Sequence, residues 1–321
     1  MDMRFDGWPH VLESQQFTVP WLEEALFPLA HRMEEVYKSG GNADLHGKIM
    51  LTIFFEPSWR TRTSFEVAML KLGGGVCSTA AAAQFSSAVK GENLDDMTEV
   101  GNEYYPDVIV LRHPGDGSAA AAAKVSVRVP IINGGDGRGQ HPTQALLDIF
   151  TIHKKFSKIA GLKVAMVGDL ANGRTVRSLS YLLGKYEGVR LFFVAPPLLA
   201  VKQDIRDYLT RHNVSFEEVS DVHEIAGEVD VIYQTRTQKE RGGVMDGKAN
   251  GNFRIDQSVL DLMRPQAIIM HPMPIDRSDL ATTEIDPAVD ADPRAVYKRS
   301  QVGAGLATRM ALLKMILSPQ A

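Results

Sequence analysis

The chain has few of the features that would mark it as a secreted, membrane or nucleic-acid-binding protein. Its single cysteine, Cys77, excludes an internal disulfide and a cysteine-based metal cluster, and we expect it to be a small buried residue. No apolar run is long enough to span a bilayer, and no basic-then-apolar signal segment opens the sequence. The formal net charge of −4 argues against general attraction to nucleic acid or to an anionic membrane. We therefore expect a cytoplasmic protein without nucleic-acid or membrane partners.

Nucleotide-binding motifs and metal-ligand spacings are also missing. No G-x-x-x-x-G-K-[ST] loop occurs, and the turn from Gly168 to Gly173 lacks the G-x-G-x-x-G spacing. The histidines do not fall at metal-ligand spacing, so no metal ion and no redox cofactor is expected. Because the net charge is negative, any anion site must be a local concentration of arginine and lysine.

What the chain does have is the pattern of an α/β protein. Its 321 residues, 44% hydrophobic and 23% charged, suit two soluble globular domains. Short apolar strands alternate with helical patterns, which predicts two domains, each a parallel sheet flanked by helices. We place the first domain at residues 1–145, completed by a C-terminal helix over 300–321, and the second at 146–299. The predicted strands are 49–55, 107–111, 129–132, 162–167, 191–194, 229–233 and 267–270.

A strand, a turn and a helix start form the first candidate site. The apolar run 49–55 ends at Pro57, and a helical pattern follows with Ser58 in the N-cap position. The first turn of a helix has unpaired backbone N–H groups and the positive end of the dipole, so Arg60 and Arg62 are unfavourable there unless an anion binds. The pattern predicts a phosphate site. The alternative is a solvated arginine pair that follows a helix cap.

Polar clusters follow other predicted strands in the same way. Ligands of parallel α/β sheets bind beyond the carboxyl ends of the strands, so we expect these clusters to line one crevice between two domains. The clusters are Ser58 to Arg62, Arg112-His113, His141, Arg174, Arg236 and His271.

Two kinds of chemistry are indicated within this set. His141 stands at a helix start beside Pro142, where a neutral imidazole could donate a hydrogen bond to a carbonyl oxygen, and where a structural role fits equally well. Arg236 at a strand end and Arg174 at a helix start are suited to binding carboxylates. The alternative is that the cations Arg236, Lys239 and Arg241 belong to a solvated loop.

Two further stretches carry simple structural predictions. Residues 80–92 combine an alanine run with polar and glycine-bearing flanks, which predicts a mobile loop rather than a helix. Helical spacing predicts helices over 21–37 and 306–316, the second packing back on the first domain.

The motif from Ser58 to Arg62 resembles the Ser-Thr-Arg-Thr-Arg phosphate loop of the aspartate and ornithine carbamoyltransferase family, with Trp59 in the second place. In the ornithine branch a cysteine normally stands where this chain has Pro272, so the resemblance is to the aspartate branch. Further motifs of the resemblance are Val-Lys-Gly-Glu (89–92), Leu-Arg-His-Pro (111–114), Gly-Asp-Gly-Arg-Gly-Gln-His-Pro-Thr-Gln (135–144), Met-Val-Gly-Asp-Leu (166–170), Gly-Arg-Thr-Val (173–176), Thr-Arg-Thr-Gln-Lys-Glu-Arg (235–241) and His-Pro-Met-Pro (271–274).

The resemblance implies transfer of a carbamoyl group from carbamoyl phosphate to the amine of L-aspartate, an early step of pyrimidine synthesis. The first domain would bind carbamoyl phosphate and the second aspartate. The residues implied to act on carbamoyl phosphate are Ser58, Trp59, Arg60, Thr61, Arg112, His141, Gln144, Pro272 and Met273; Arg60, Thr61, Arg112 and His141 would be catalytic. The residues implied to hold aspartate are Lys90, Arg174, Arg236 and Gln238.

The resemblance also implies an assembly. Ser86 and Lys90 would reach into the site of a neighbouring subunit within a homotrimer. A regulatory or dihydroorotase partner is compatible with it.

Departures from the family pattern leave two other functions open. Trp59 replaces a threonine, Val89 a lysine and Ala304 an asparagine, and the segment 275–277 also differs. The chain could be a related carbamoyltransferase that uses another acidic amine, with Trp59 reshaping the pocket. It could also be a silent paralogue that acts as an assembly partner, although its intact site residues argue against that.

Overall fold

A computed structural model describes residues 10–238, 249–280 and 282–318 of the chain. The chain forms two compact units: the first runs to Leu147 and resumes at Gly303, and the second spans Asp148–Val302. Each unit has one sheet of parallel strands flanked by helices, which confirms the predicted α/β class.

The sheet of the first unit consists of β1 (Ile49–Phe54), β2 (Gly75–Thr79), β3 (Val108–His113) and β4 (Ile131–Asp136). Its spatial order is β2-β1-β3-β4, so the direction of strand addition reverses between β1 and β3. Such a reversal opens a crevice beyond the carboxyl ends of the two strands, where ligands of open α/β sheets bind.

The sheet of the second unit consists of β5 (Lys163–Val167), β6 (Arg190–Val194), β7 (Ser215–Val219), β8 (Val231–Gln234) and β9 (Ile268–Met270). The order is β7-β6-β5-β8-β9, and here the reversal lies between β5 and β8. Both strands are almost wholly buried, because helices cover both faces of the sheet.

The helices lie between these strands in the sequence. A π-helical segment, Trp21–Leu26, leads directly into the first α-helix, so the predicted helix over 21–37 is present with a wider opening turn. The α-helices of the described residues are α1 (Phe27–Lys38), α2 (Trp59–Lys71), α3 (Ala82–Phe85), α4 (Leu94–Glu103), α5 (Ser118–Val125), α6 (Pro142–Phe156), α7 (Arg174–Leu183), α8 (Gln203–Arg211), α9 (Gln257–Leu262) and α10 (Ser300–Leu317).

The last helix, α10, supplies the C-terminal part of the first unit. The guanidinium of buried Arg309 lies 5.1 Å from the ring centroid of Phe65 in α2. Lys314 forms an ion pair with Asp44 in the same unit. These contacts hold α10 against the other elements of the first unit.

Two strands were not predicted, and the prediction for Cys77 was wrong. Both β2 and β7 lie at sheet edges, and their side chains are largely exposed. An exposed strand needs no continuous apolar run, so the pattern that revealed the buried strands is absent from Gly-Val-Cys-Ser-Thr and Ser-Phe-Glu-Glu-Val. Cys77 is exposed because it lies on edge strand β2.

The segment 80–92 and the strand β4 also differ from expectation. The first contains the four-residue helix α3 and a 3-10 helix, Ser87–Lys90, rather than only a loop. Strand β4 extends through the predicted glycine turn to Asp136, because its pairing with β3 continues past an irregularity between Leu111 and His113.

Within the described ranges, no helix has the length and apolar character needed to cross a membrane.

Candidate active site

The start of α2 carries four of the residues predicted to bind carbamoyl phosphate, Ser58, Trp59, Arg60 and Thr61. Ser58 occupies the N-cap position with extended φ, but its side chain makes no capping bond to the helix. The N-cap prediction is therefore correct in position and wrong in contact. No acidic residue lies in the first turn of α2, so the positive helix end is not neutralised from within its own helix.

The two arginines of this turn have different surroundings. Arg62 donates to Ser78 Oγ at 3.0 Å and lies 3.5 Å from Glu66 Oε1, so neighbouring side chains hold it. Arg60 is exposed. Arg62 therefore supports edge strand β2, while Arg60 is the more exposed cation of the turn.

Arg112 joins this region from the end of β3. In the sheet register it lies opposite Phe54, and its carbonyl accepts from Phe55 N at 2.9 Å. Its guanidinium donates to Gly134 O at 3.2 Å, and its Nε lies 3.3 Å from Glu56 Oε2. The side chain is largely buried beside a carboxylate, which keeps a cation at the β1/β3 reversal point.

His113, which follows Arg112, is a structural residue. Burial lowers the pKa of its imidazole, and the nearby carboxylates of Glu56 and Asp136 only partly oppose this. Its Nδ1 accepts from Gly115 N at 3.0 Å, so the ring fixes the turn after β3.

His141 and Thr61 are brought together although 80 residues separate them. His141 Nε2 lies 3.4 Å from Thr61 Oγ1, and Nδ1 lies 3.4 Å from Thr143 Oγ1. His141 is 4% exposed, and its carbonyl accepts a hydrogen bond from Gln144 N in the first turn of α6. The imidazole therefore lies between two hydroxyl groups. Thr143 belongs to the first turn of α6, and Thr61 belongs to the first turn of α2.

In the second unit, a glycine turn links β5 to α7. The backbone of Gly168 has φ +109°, and a Cβ there would lie 2.4 Å from Thr235 O, so only glycine fits beside the end of β8. Asp169 Oδ2 accepts from Gln238 N at 3.0 Å. Arg174, the buried first residue of α7, follows this turn. A cation at a helix N-terminus again suits an anionic ligand.

The end of β8 carries the other predicted carboxylate ligands. Thr235 N and Oγ1 both donate to Val167 O, which fixes the chain beside β5. Arg236 and Gln238 follow, and Arg236 Nη1 donates to Thr237 O at 3.3 Å. The remaining cations of this motif, Lys239 and Arg241, lie outside the described residues.

Pro272 and Met273 follow β9, the strand that pairs with β8. Met273 has φ +58°, an unusual conformation for a residue with a side chain, and its peptide bond to Pro274 is cis. Met273 N donates to His271 Nδ1 at 2.8 Å. The predicted carbonyl acceptors therefore lie in a backbone that is held in an uncommon shape.

Ser86 and Lys90 lie in the segment after edge strand β2. The Ser86 hydroxyl caps the 3-10 helix by accepting from Ala88 N at 3.2 Å. Lys90 ends that helix and is exposed, and no described residue forms an ion pair with it.

Sequence reasoning missed the carboxylates that support the site. Glu56 lies beside Arg112, and Asp169 holds the backbone of Gln238. Each directly follows a buried strand, which was the same signal that pointed to the arginines. The pattern indicated cations for anionic ligands, and a carboxylate does not fit that chemistry until its contacts are known. Among the described residues, no group of His, Cys, Asp and Glu is arranged to hold a metal ion.

Comparison with known proteins places this geometry in a family. A model described as the aspartate/ornithine carbamoyltransferase carbamoyl-P binding domain matches residues 9–154, and one described as the Asp/Orn binding domain matches residues 160–316. The aspartate carbamoyltransferase catalytic subunit of Methanothrix thermoacetophila is 45% identical, over 96% of this chain and 98% of that protein. A structure of Trypanosoma cruzi aspartate transcarbamoylase with carbamoyl phosphate and aspartate is 36% identical with a TM-score of 0.88, and the match covers 96% of this chain and 95% of that one.

Plant relatives overturn one expectation. Aspartate carbamoyltransferase 3 of Pisum sativum is 51% identical, over 96% of this chain and 77% of that protein, and its name places it in the chloroplast. Relatives from Arabidopsis thaliana and Oryza sativa are also named chloroplastic. The prediction of a cytoplasmic location, drawn from a missing signal segment, is therefore wrong. With both domain models matched in order along nearly its whole length, the chain belongs to the aspartate/ornithine carbamoyltransferase family.

Proposed function

We propose that the chain transfers the carbamoyl group of carbamoyl phosphate to the amine of L-aspartate, giving N-carbamoyl-L-aspartate and phosphate for pyrimidine synthesis. One observation carries the proposal: in both sheets, arginines lie at or beyond the carboxyl ends of the two strands at the reversal point. Arg60 and Arg112 belong to the first unit, Arg174 and Arg236 to the second. The reaction needs one set of cations for a phosphate and another for a dicarboxylate, and the chain has both.

The phosphate is assigned to the start of α2. Its backbone N–H groups, the Ser58 hydroxyl that the helix does not use, and the Arg60 guanidinium are all donors suited to phosphate oxygens. Arg112 adds a second guanidinium from the neighbouring strand. Glu56 beside Arg112 compensates its charge when phosphate is absent.

The carbamoyl carbonyl is assigned to Thr61, Arg112 and His141. Attack by the amine builds negative charge on the carbonyl oxygen, and fixed donors at that oxygen stabilise the transition state. If Thr143 donates to His141 Nδ1, the proton of the neutral ring lies on Nε2, the nitrogen that faces Thr61. The Nε2–H and the Thr61 hydroxyl then form a pair of donors for one oxygen.

The rest of the reaction divides between the substrates and the second unit. The amine forms the new C–N bond, the C–O bond to phosphate breaks, and the departing phosphate takes the amine proton. Arg174, Arg236 and Gln238 hold the two carboxylates of aspartate. Gln144 and the carbonyls of Pro272 and Met273 accept hydrogen bonds from the carbamoyl amide.

The assembly in this proposal is a homotrimer with shared sites. Lys90 is exposed and without an ion pair to any described residue, as expected of a side chain that acts on a neighbouring copy. The same segment supplies Ser86. Sedimentation or light scattering of the purified protein measures the subunit number directly.

The proposed activity is tested by a carbamoyl-transfer assay with a panel of amines. Purified protein is given carbamoyl phosphate with L-aspartate, L-glutamate, L-ornithine or a buffer blank, and the carbamoylated product is quantified. Aspartate should be preferred over ornithine by at least about 100-fold, because ornithine has one carboxylate and a site with two carboxylate-binding arginines loses charge-assisted bonds with it. Preference for another acidic amine would identify a different carbamoyltransferase, and no transfer to any amine would identify a silent relative.

Replacing Trp59 with threonine should leave the activity nearly unchanged. The indole is 69% exposed, so it does not pack against the described chain. As the first residue of α2, Trp59 offers phosphate a backbone N–H, and threonine keeps that donor. We expect kcat and both KM values within about threefold of the parent, and the same preference among acidic amines.

Trp59→Pro is the matched variant for this test. Proline is well tolerated at the first position of a helix but has no N–H. It should therefore raise the KM for carbamoyl phosphate by roughly tenfold while the protein remains folded. A changed acceptor preference in Trp59→Thr would instead place the indole in the acceptor pocket.

A further inference from the structure

A buried histidine–carboxylate pair follows β9, beside the predicted carbonyl acceptors. His271 is 1% exposed, and its Nε2 lies 3.1 Å from Oε1 of Glu284, which is 7% exposed. Its other ring nitrogen, Nδ1, lies 2.8 Å from Met273 N. None of the substrate contacts proposed above uses this pair.

The two contacts together fix the tautomer of the ring. A backbone N–H can only donate, so Nδ1 must carry a lone pair to accept from Met273. The proton of the neutral imidazole is then on Nε2, where an ionised Glu284 can only accept it. One carboxylate thereby sets which ring nitrogen is available to the backbone, as carboxylates do behind metal-bound histidines.

The backbone that this bond holds is strained. Met273 has φ +58°, in the left-handed region that is unfavourable for a residue with a side chain. Such a conformation persists only where surrounding contacts determine it. Pro272 and Pro274 have no N–H, so Met273 has the single backbone donor between His271 and Ile275, and His271 is its acceptor.

The pair is itself well anchored. His271 N donates to Gln301 Oε1 at 3.0 Å, and Gln301 Nε2 donates to Asp148 Oδ1 at 2.7 Å. Glu284 also accepts from Asp276 N, at 3.2 Å and 3.3 Å to its two oxygens. A ring fixed on both sides can hold a backbone more firmly than a single side-chain contact.

We infer that His271 is a positioning residue for carbamoyl transfer: with Glu284 behind it, its Nδ1 holds Met273 N and so aims the carbonyls of Pro272 and Met273. The inference rests on the proposed function, in which those carbonyls accept from the carbamoyl amide. An error of about 1 Å in such a contact can lower a rate by roughly 100-fold without loss of folding.

Three variants distinguish a positioning role of His271 from a general contribution to folding stability. His271→Ala removes the acceptor, and kcat should fall by about 10- to 100-fold with less change in the KM for aspartate. His271→Asn places a carbonyl oxygen on Cγ, where Nδ1 was attached, so it can still accept from Met273 N. We expect the asparagine variant to recover kcat to within about fivefold of the parent. Glu284→Gln can donate to Nε2 and permit the other tautomer, so its kcat should fall between those of His271→Ala and the parent.

His223→Ala is the matched control, because it removes another histidine paired with a carboxylate in the same unit. His223 Nδ1 lies 2.6 Å from Asp221 Oδ1 and touches none of the proposed site residues. Its kcat should equal that of the parent. Each variant is also melted, and hydrogen exchange is followed at the Met273 amide, which should be protected in the parent and the asparagine variant but not in His271→Ala.

The outcomes distinguish this inference from the proposed function. The parent is assayed first, and a parent that transfers no carbamoyl group overturns the proposed function and the inference with it. If the parent is active, His271→Asn as slow as His271→Ala shows that the Met273 bond is not what matters. Parent-like kcat in His271→Ala also overturns the inference, and so does a loss of kcat that only follows a lowered melting temperature in all three variants.

Discussion

An Arg236→Ala protein should need far more aspartate and turn over more slowly, yet bind carbamoyl phosphate as the parent does. Arg236 follows β8 at the reversal point of the second sheet, where its guanidinium is partly buried. Removing a charge-assisted, bidentate partner of a desolvated carboxylate should cost about 3 kcal/mol of transition-state stabilisation. That corresponds to a loss of roughly 100-fold in kcat/KM for aspartate, measured by varying aspartate at saturating carbamoyl phosphate.

Arg190→Ala is a matched control for this prediction. Arg190 belongs to the same sheet but begins β6, so it lies at the amino end of a strand rather than beyond a carboxyl end. Its exposed ion pair with Glu217, at 2.6 Å, should contribute at most about 1 kcal/mol to stability. The control should therefore keep parental kinetics for aspartate. If Arg236→Ala also keeps them, Arg236 does not bind the acceptor, and a carbamoyltransferase with another acceptor becomes the better hypothesis.

The inner strands of both sheets could be predicted because burial on two faces demands a continuous apolar run. The runs at the inner strands β1, β3, β5, β6 and β8 are all strands of the structure, and so are the runs at the buried edge strands β4 and β9. The edge strands β2 and β7 were not predicted because their side chains are largely exposed and form no apolar run, and Cys77 lies exposed on β2. Apolar runs in a sequence indicate buried strands, so they give no signal for a strand whose side chains are exposed.

Spatial strand order could not be read from the sequence at all. Each predicted strand end had its polar residues, but nothing local shows that β1 lies beside β3 or β5 beside β8. Order depends on which sheet edge each crossover reaches, and that is decided by packing of the whole unit. The sequence therefore identified the candidate residues, and the topology grouped them in two sets.

The contacts that side chains make could not be predicted from local sequence patterns either. Arg60 and Arg62 were equivalent in the sequence pattern, yet Arg60 is exposed whereas Arg62 contacts Ser78 and Glu66. The contact between Thr61 and His141 joins residues far apart in the chain. Chemical type can be read from one position, whereas a partner depends on the folded arrangement of many.

Mixing two inactive variants should restore activity if Lys90 acts in a neighbouring subunit. Lys90→Ala and His141→Ala should each retain little activity alone, because each removes a proposed substrate contact from every site. A hybrid trimer contains some sites that combine an intact His141 pocket with an intact Lys90 segment from the next chain. Random reassociation of equal amounts makes about one quarter of the sites complete. The mixture should therefore reach about one quarter of the parental rate after dissociation and reassociation.

A second mixture tests whether this recovery has the stated cause. Arg112→Ala and His141→Ala both alter residues of the first unit that the proposal assigns to the same site of the same chain. Every site in their hybrids lacks one of the two, so that mixture should stay as inactive as its parents. The exposed position of Lys90 is equally compatible with a solvated lysine of no function, and then Lys90→Ala alone would be fully active. If both Lys90→Ala and His141→Ala are inactive and well-folded hybrids of them gain nothing, Lys90 serves its own chain, and the shared-site proposal is wrong.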